Sequence, residues 1–319
     1  MTYSSKYKYS IATCALVGFV DNLPWDQIKT WAITAHEHFS GDIVLFCYRA
    51  PDKELLKKQC DNLGIDLQYV TTDSDGRLLS FDNPRGLSNC HYLRHFKLSE
   101  FIDSLNGKYD YTIMTDVRDV YFQSDPCEWL IENLKCPLLF SSEQLNYKDE
   151  SWGWTNIISV YGQYLVDRGL AEWEIFNSGV VAGHSNYVSM LSKLVYELCP
   201  NRHHPPDQAT YNFLYHTMLK YMNQSGSDYE GCSIPLCQSA QHGDGWACQC
   251  GTTLDPSKSH YKQALLGSSN NTPVIKIENV NGKDIPRVQT VDGRLFSIVH
   301  QWDRVPVLKN YMEGLLNDK

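Results

Sequence analysis

The stretch Tyr109-Asp-Tyr-Thr-Ile-Met-Thr-Asp-Val-Arg-Asp-Val-Tyr-Phe122 decides the fold. Its first half is a hydrophobic strand, which runs straight into Asp116 and Asp119, three residues apart, with Arg118 between them. In open α/β sheets, ligands bind just outside the carboxyl ends of the strands. Two carboxylates there repel each other unless a cation sits between them, and hard oxygen ligands suit Mg²⁺ or Mn²⁺. Without a metal, the same residues read as a strand-ending turn in which Asp caps backbone N–H groups and Arg118 pairs with one carboxylate.

Upstream of this stretch, strand and helix alternate. Tyr9 to Val17 is an apolar run of strand length, and Asp26 to Phe39 puts Ile28, Trp31, Ala32, Ala35 and Phe39 on one helical face. Asp42 to Tyr48 and Leu67 to Val70 read as strands, with a helix between them opened by Pro51 and closed by Gly64. Asn89 to Leu105 is a strong helix, Tyr109 to Thr115 the fourth strand, and Pro137 to Ser141 the fifth. This alternation predicts an α/β fold with one mostly parallel, Rossmann-like central sheet flanked by helices. The second half is less regular. It contains a strand at Phe176 to Ala182, helices at Tyr187 to Leu198 and Asp207 to Tyr221, short strands at Val274 to Ile277 and Leu295 to Val299, and a closing helix at Pro306 to Leu316. Gln224 to Thr272 is rich in Gly, Ser, Asn and Cys and reads as long loops. No linker separates independent units, so a single domain over 1–319 is expected, with a regular first half (1–125) and an irregular second half (126–319), which the resemblance described below makes the nucleotide-binding and the acceptor- and sugar-binding halves.

Composition narrows the function. Hydrophobic residues make up 42% and charged residues 20% of the 319, which is globular and excludes whole-chain disorder. A net charge of −9 argues against a nucleic-acid-coating protein. No apolar run approaches the roughly 20 residues a membrane helix needs, and Met1 to Tyr9 has no apolar core of a signal peptide. Of the eleven cysteines, Cys14, Cys47, Cys60, Cys127, Cys136 and Cys199 lie in apolar stretches, as buried thiols in a reducing compartment would. The expected location is therefore the cytoplasm. Cys232, Cys237, Cys248 and Cys250, with His242 between, lack the paired spacing of common zinc modules and read as free thiols or a loop disulfide.

Four further segments carry chemistry. Arg94 and Lys97 are i, i+3 neighbours that could face a diphosphate or simply form a solvated basic face. Phe176-Asn177-Ser178-Gly179 enters a strand with small residues that let a ligand approach the backbone. Asp207 and Gln208 open a helix, where an N-cap is the plainer reading. His300 ends a late strand, where a lone His is more often structural than a ligand. Trp152, Trp154, Trp173 and Trp246 lie in loop-like or polar contexts where an aromatic face can meet a ligand's C–H surface, a carbohydrate acceptor under the resemblance described next, although core packing is the better reading for at least half of them.

Taken in order, these segments resemble the metal-dependent GT-A glycosyltransferases, over roughly residues 9 to 303. The Asp-Val-Arg-Asp-Val stretch is also similar to glycosyltransferases of large algal viruses. The resemblance implies a GT-A-like fold and transfer of a sugar from a nucleotide-sugar donor, UDP-sugar by family frequency, to a hydroxyl of a glycan or other acceptor. It implies Mn²⁺ or Mg²⁺ held by Asp119 and His300, with Asp116 contributing directly or through water. Asp116-x-x-Asp119 departs from a strict DxD, because Val117 stands where the first acid would align; Asp119 is thus the safer ligand, and Asp116 is expected to touch the ribose or hold Arg118. The nucleotide base is placed at Ala12 and Thr13, the diphosphate at Arg94 and Lys97, and the sugar at Asn177, Ser178 and Gly179. Asp207-Gln208 resembles a motif of retaining families. If the enzyme inverts, Glu143, Asp149 or Glu150 is the candidate base.

Three other readings compete. A sugar nucleotidyltransferase would carry a Gly-rich basic loop after the first strand, yet Val17-Gly-Phe-Val-Asp-Asn-Leu-Pro24 has one Gly and no Lys or Arg. A phosphatase with an Asp nucleophile would place its acids after the first strand. A non-catalytic carbohydrate-binding protein would need neither the acidic strand end nor the basic helix.

Overall fold

The computed structural model describes residues 12–70, 90–199, 206–222, 235–266, 272–280 and 282–317. The expected alternation is present in β1 (Cys14–Asp21), α1 (Trp25–His38), β2 (Asp42–Arg49), α2 (Lys53–Asn62), β3 (Asp66–Tyr69), α3 (Cys90–Ser104) and β4 (Tyr111–Thr115). These four strands are parallel, in the order β3-β2-β1-β4. β1 begins later than Tyr9 and ends later than Val17, a shift that matters for the site.

Beyond β4 the sheet changes character. β5 (Val120–Phe122) and α4 (Pro126–Asn133) lead into β6 (Leu138–Asn146), α5 (Ser151–Tyr161), β7 (Glu174–His184), α6 (Ser185–Leu198), α7 (Pro206–Thr217) and β8 (Cys237–Ala240). β7 sits between β4 and β6 and runs antiparallel to both; β8 pairs parallel to β6 and closes a seven-stranded, mostly parallel sheet.

Helices cover both faces, which explains why the strands read as unbroken apolar runs. In β1, Cys14 and Leu16 join the cluster built on α1, α2 and α4, whereas Ala15 and Val17 join the one built on α3, α6 and α7. Local signals set several boundaries. Asp52 caps α2 by accepting from the Leu55 amide at 2.9 Å, so Pro51 lies just outside the helix rather than in its first turn. Asp125 caps α4, whose first residue is Pro126.

The loop reading of 224–272 is corrected for its described part. Residues 235–266 contain β8, β9 (Ala247–Gln249), the short α8 (Cys250–Thr253) and a 3-10 turn at Pro256–Gln263. A hairpin of β10 (Val274–Val280) and β11 (Lys283–Gln289) follows, then β12 (Ile298–His300) and α9 (Pro306–Asn317). β5, β12 and β9 form a separate three-stranded sheet that neither composition nor periodicity announced. None of the described helices is long and apolar enough to cross a membrane.

Candidate functional site

The small sheet assembles the site. Val120 and Gln249 flank His300 in register, from the antiparallel β5 and the parallel β9. The Gln301 amide donates to the Asp119 carbonyl at 2.7 Å, which fixes the residue before β5 beside the one after β12. His300 therefore reaches the acidic strand end through this second sheet, not through the central one. One carboxylate oxygen each from Asp116 and Asp119 and one His300 ring nitrogen all lie within 4.8 Å of one another. Among the described residues this is the one such group of three or more His, Cys, Asp or Glu.

The donor set fits a divalent ion. His300 Nε2 lies 3.5 Å from Asp116 Oδ2 and 3.6 Å from Asp119 Oδ1. Its Nδ1 is 2.7 Å from the Gln249 side-chain carbonyl, which accepts the Nδ1–H and turns Nε2 toward the carboxylates. Burial alone would lower the His300 pKa, but Asp119 and Asp116 outweigh it and push it up to about 10. Without a metal, a proton takes the place of the positive charge that the two acids demand. Such mixed oxygen and imidazole ligation suits Mn²⁺ better than Mg²⁺.

Asp116 holds Arg94, not Arg118. The Arg94 guanidinium is buried and donates to Asp116, to Asp207 at 2.8 Å and to the Ser178 carbonyl at 3.1 Å. Desolvation opposes ionisation of Asp116, yet Arg94 and His300 hold it well below the usual carboxylate range. A Cβ on Gly179 would lie 2.5 Å from Asp116 Oδ2, so glycine is required where β7 passes this carboxylate.

On the other side of the cluster, Glu143 from β6 receives the Asn177 amide at 2.8 Å and the Gln208 amide at 3.3 Å. Gln208 also accepts from the Ser178 amide at 2.7 Å and donates to the Phe176 carbonyl at 3.0 Å. Burial raises the Glu143 pKa, partly offset by the Asn177 bond. Asp207 is bound to Arg94 from within the first turn of α7.

Two cavities meet at the cluster. One, of about 450 Å³, takes Glu143, Asn177, Ser178, Gly179, Asp207 and Gln208 into its wall. The other, of about 340 Å³, lies toward β1, between Phe19, Asp21, Leu23 and Cys90, with Val117 and Arg118 beside them. His91, Arg94, Asp116 and Asp119 line both. Arg118 is exposed there and makes no ion pair among the described residues.

Several expected residues fall elsewhere. Ala12 and Thr13 precede β1, and Thr13 bonds Asp110 at 2.8 Å, at the opposite end of the sheet from Asp116. The apolar run stops at Val17 but the strand does not; the crevice end of β1 is Phe19 to Asp21. Lys97 pairs with Glu100 at 3.3 Å, packs over Phe46 and lines neither cavity. Asp149 lies outside both cavities, whereas Glu150 lines the larger one while capping α5 through the Trp152 and Gly153 amides; Glu143 is the carboxylate that Asn177 and Gln208 hold. Trp246 and Trp173 are core residues; Trp152 is 55% exposed at the mouth of the larger cavity, and Trp154 is half-buried. Cys237, Cys248 and Cys250 are free thiols, His242 Nε2 accepts from the Gln249 amide at 3.4 Å, and Cys232 lies outside the described residues.

Sequence reasoning missed Gln249, Lys258, Tyr261 and Arg304. Arg304 was visible as the basic residue four places after His300. The others lie in the segment that composition assigned to loops, where no periodicity marks a wall residue. The chain matches no protein-family model and no curated protein.

Proposed function

We propose that this protein is a divalent-metal-dependent glycosyltransferase of GT-A type, moving a sugar from a nucleoside-diphosphate sugar, a UDP-sugar in the first instance, to a hydroxyl of a glycan. The observation that carries the reading is the Asp116-Asp119-His300 cluster on the shared wall of two cavities. A donor of this class has two parts, nucleoside and sugar, joined by a diphosphate that requires positive charge. The smaller cavity suits the nucleoside and the larger one the sugar and acceptor, with the cluster at the diphosphate between them.

A divalent ion held by Asp116, Asp119 and His300 would stabilise the negative charge that grows on the departing diphosphate. Arg118, which makes no ion pair among the described residues, offers a guanidinium on the nucleoside side, and Arg304 lines the sugar side. Asn177 and Gln208 hold Glu143 at the cavity wall, where its carboxylate faces the positive charge that develops on the sugar. The resemblance at Asp207-Gln208 favours retention, in which the acceptor hydroxyl attacks from the face of departure and passes its proton to a phosphate oxygen. An inverted product would instead make Glu143 the base.

The test is incubation with UDP- and GDP-sugars, with Mn²⁺ or EDTA. Release of nucleoside diphosphate that EDTA abolishes and Mn²⁺ restores supports the transferase. Turnover that requires pyrophosphate assigns a nucleotidyltransferase, and absence of any turnover or donor binding rejects the reading.

A further inference from the structure

A third cavity, of about 470 Å³, opens between the start of α5 and the 3-10 turn at Pro256–Gln263. It meets the larger site cavity at Tyr261, which lines both. At this junction the Tyr261 hydroxyl donates to Glu150, a residue of the larger site cavity, at 3.0 Å. Both volumes fall in the range of about 300–1,000 Å³ typical of small-molecule sites.

The lining of this run is amphipathic. Trp152 stands at the first cavity with more than half its surface bare, although indole is costly to leave in water. Trp154 walls the next cavity, together with the exposed His260, whose ring lies 4.3 Å from that of Tyr261. The same cavity is lined by Asp149, Ser151 and Thr155, which carry oxygen atoms, and by Lys148. Flat apolar faces together with hydroxyls and a carboxylate suit pyranose rings, which present C–H faces and hydroxyl edges. One sugar unit does not fill both cavities.

We infer that the acceptor is an oligosaccharide whose reacting unit lies against Trp152 and whose next units pass Tyr261 into the cavity beside Trp154 and His260. This rests on the transferase reading for the reaction, but the binding it requires is independent of turnover. No bond changes at the added subsite.

The test uses the full chain and a set of probes: glucose, mannose, galactose, N-acetylglucosamine and glucuronic acid, each as monosaccharide and as tetrasaccharide. Calorimetry should find at least one tetrasaccharide bound tenfold or more tighter than its monosaccharide. Thr155→Tyr fills the third cavity from the exposed face of α5 and should abolish that advantage, leaving Mn²⁺-dependent donor hydrolysis at the parent rate. His260→Ala, at an exposed position outside the core, should reduce the advantage at least threefold. No length preference in any series overturns the inference, as does a Thr155→Tyr variant that keeps it. Donor hydrolysis without length preference leaves the transferase standing and rejects the subsite; length preference without hydrolysis keeps the subsite and rejects the transferase.

Discussion

His300 is held by opposing forces whose balance depends on pH. Its folded-state pKa of about 10 lies above the ordinary value near 6.5, so the folded chain binds this proton more tightly than the unfolded one. The stabilisation is complete below pH 6.5 and is lost as pH rises toward about 10. The depressed Asp116 acts only at the acid end, outside this window. In EDTA the melting temperature should therefore fall across pH 6.5–10, and His300→Gln should flatten the fall; a parent curve flat over that range refutes the ion pair. Since only neutral imidazole ligates, Mn²⁺ must displace the proton, and its affinity should rise about tenfold per pH unit between 7 and 9. Gln249 supports the same ring. Gln249→Leu removes the acceptor of Nδ1–H and should weaken Mn²⁺ binding about 10- to 100-fold with little change in fold. Calorimetry that finds equal affinity would remove Gln249 from the site.

At the scale of elements, the carboxyl end of β4 works because β7 runs beside it without a side chain at Gly179. Gly179→Ala pushes a methyl group against Asp116 Oδ2 and should abolish measurable Mn²⁺ binding while circular dichroism stays native. Arg94 has a different role, because it ties α3 to β4 and α7. Arg94→Ala leaves the buried Asp207 without its counter-charge and Asp116 with His300 alone, and should cost about 3–5 kcal/mol of stability, read by urea unfolding. An Arg94 variant cannot report on diphosphate binding alone, contrary to what its place in the sequence implied. These cases mark what was legible. The acidic end of β4 could be read because apolar residues stop abruptly at Asp116. His300 could be named from the end of its strand, but its route to Asp119 could not. That route uses three strands of three residues each, β5, β9 and β12, too short for any period to emerge. The antiparallel course of β7 was equally hidden, since a strand buried on both faces reads the same in either direction. Ala12 and Thr13 were misplaced because an apolar run marks where a strand lies better than where it ends.

Over the whole molecule, charge is arranged unevenly between paired and unpaired cations. The buried Arg94 is committed to Asp116 and Asp207, whereas Arg118 stands exposed at the smaller cavity with no ion pair among the described residues. In a chain of net charge −9, an unpaired guanidinium beside two carboxylates is placed to meet an anion from outside rather than to stabilise the fold. Arg118→Ala should therefore change stability by no more than about 0.5 kcal/mol. It should weaken UDP binding about tenfold in the presence of Mn²⁺, or ~1.4 kcal/mol. Because the contact is exposed, the gap between parent and variant should narrow as salt rises from 50 to 500 mM, a range over which screening shortens to a few ångströms. The two readouts separate the roles of the two arginines: loss of stability marks the structural one, and salt-dependent loss of nucleotide affinity marks the binding one. If Arg118→Ala binds UDP as the parent does at low salt, the diphosphate does not lie on the β1 side of the cluster, and the assignment of the smaller cavity to the nucleoside fails with it.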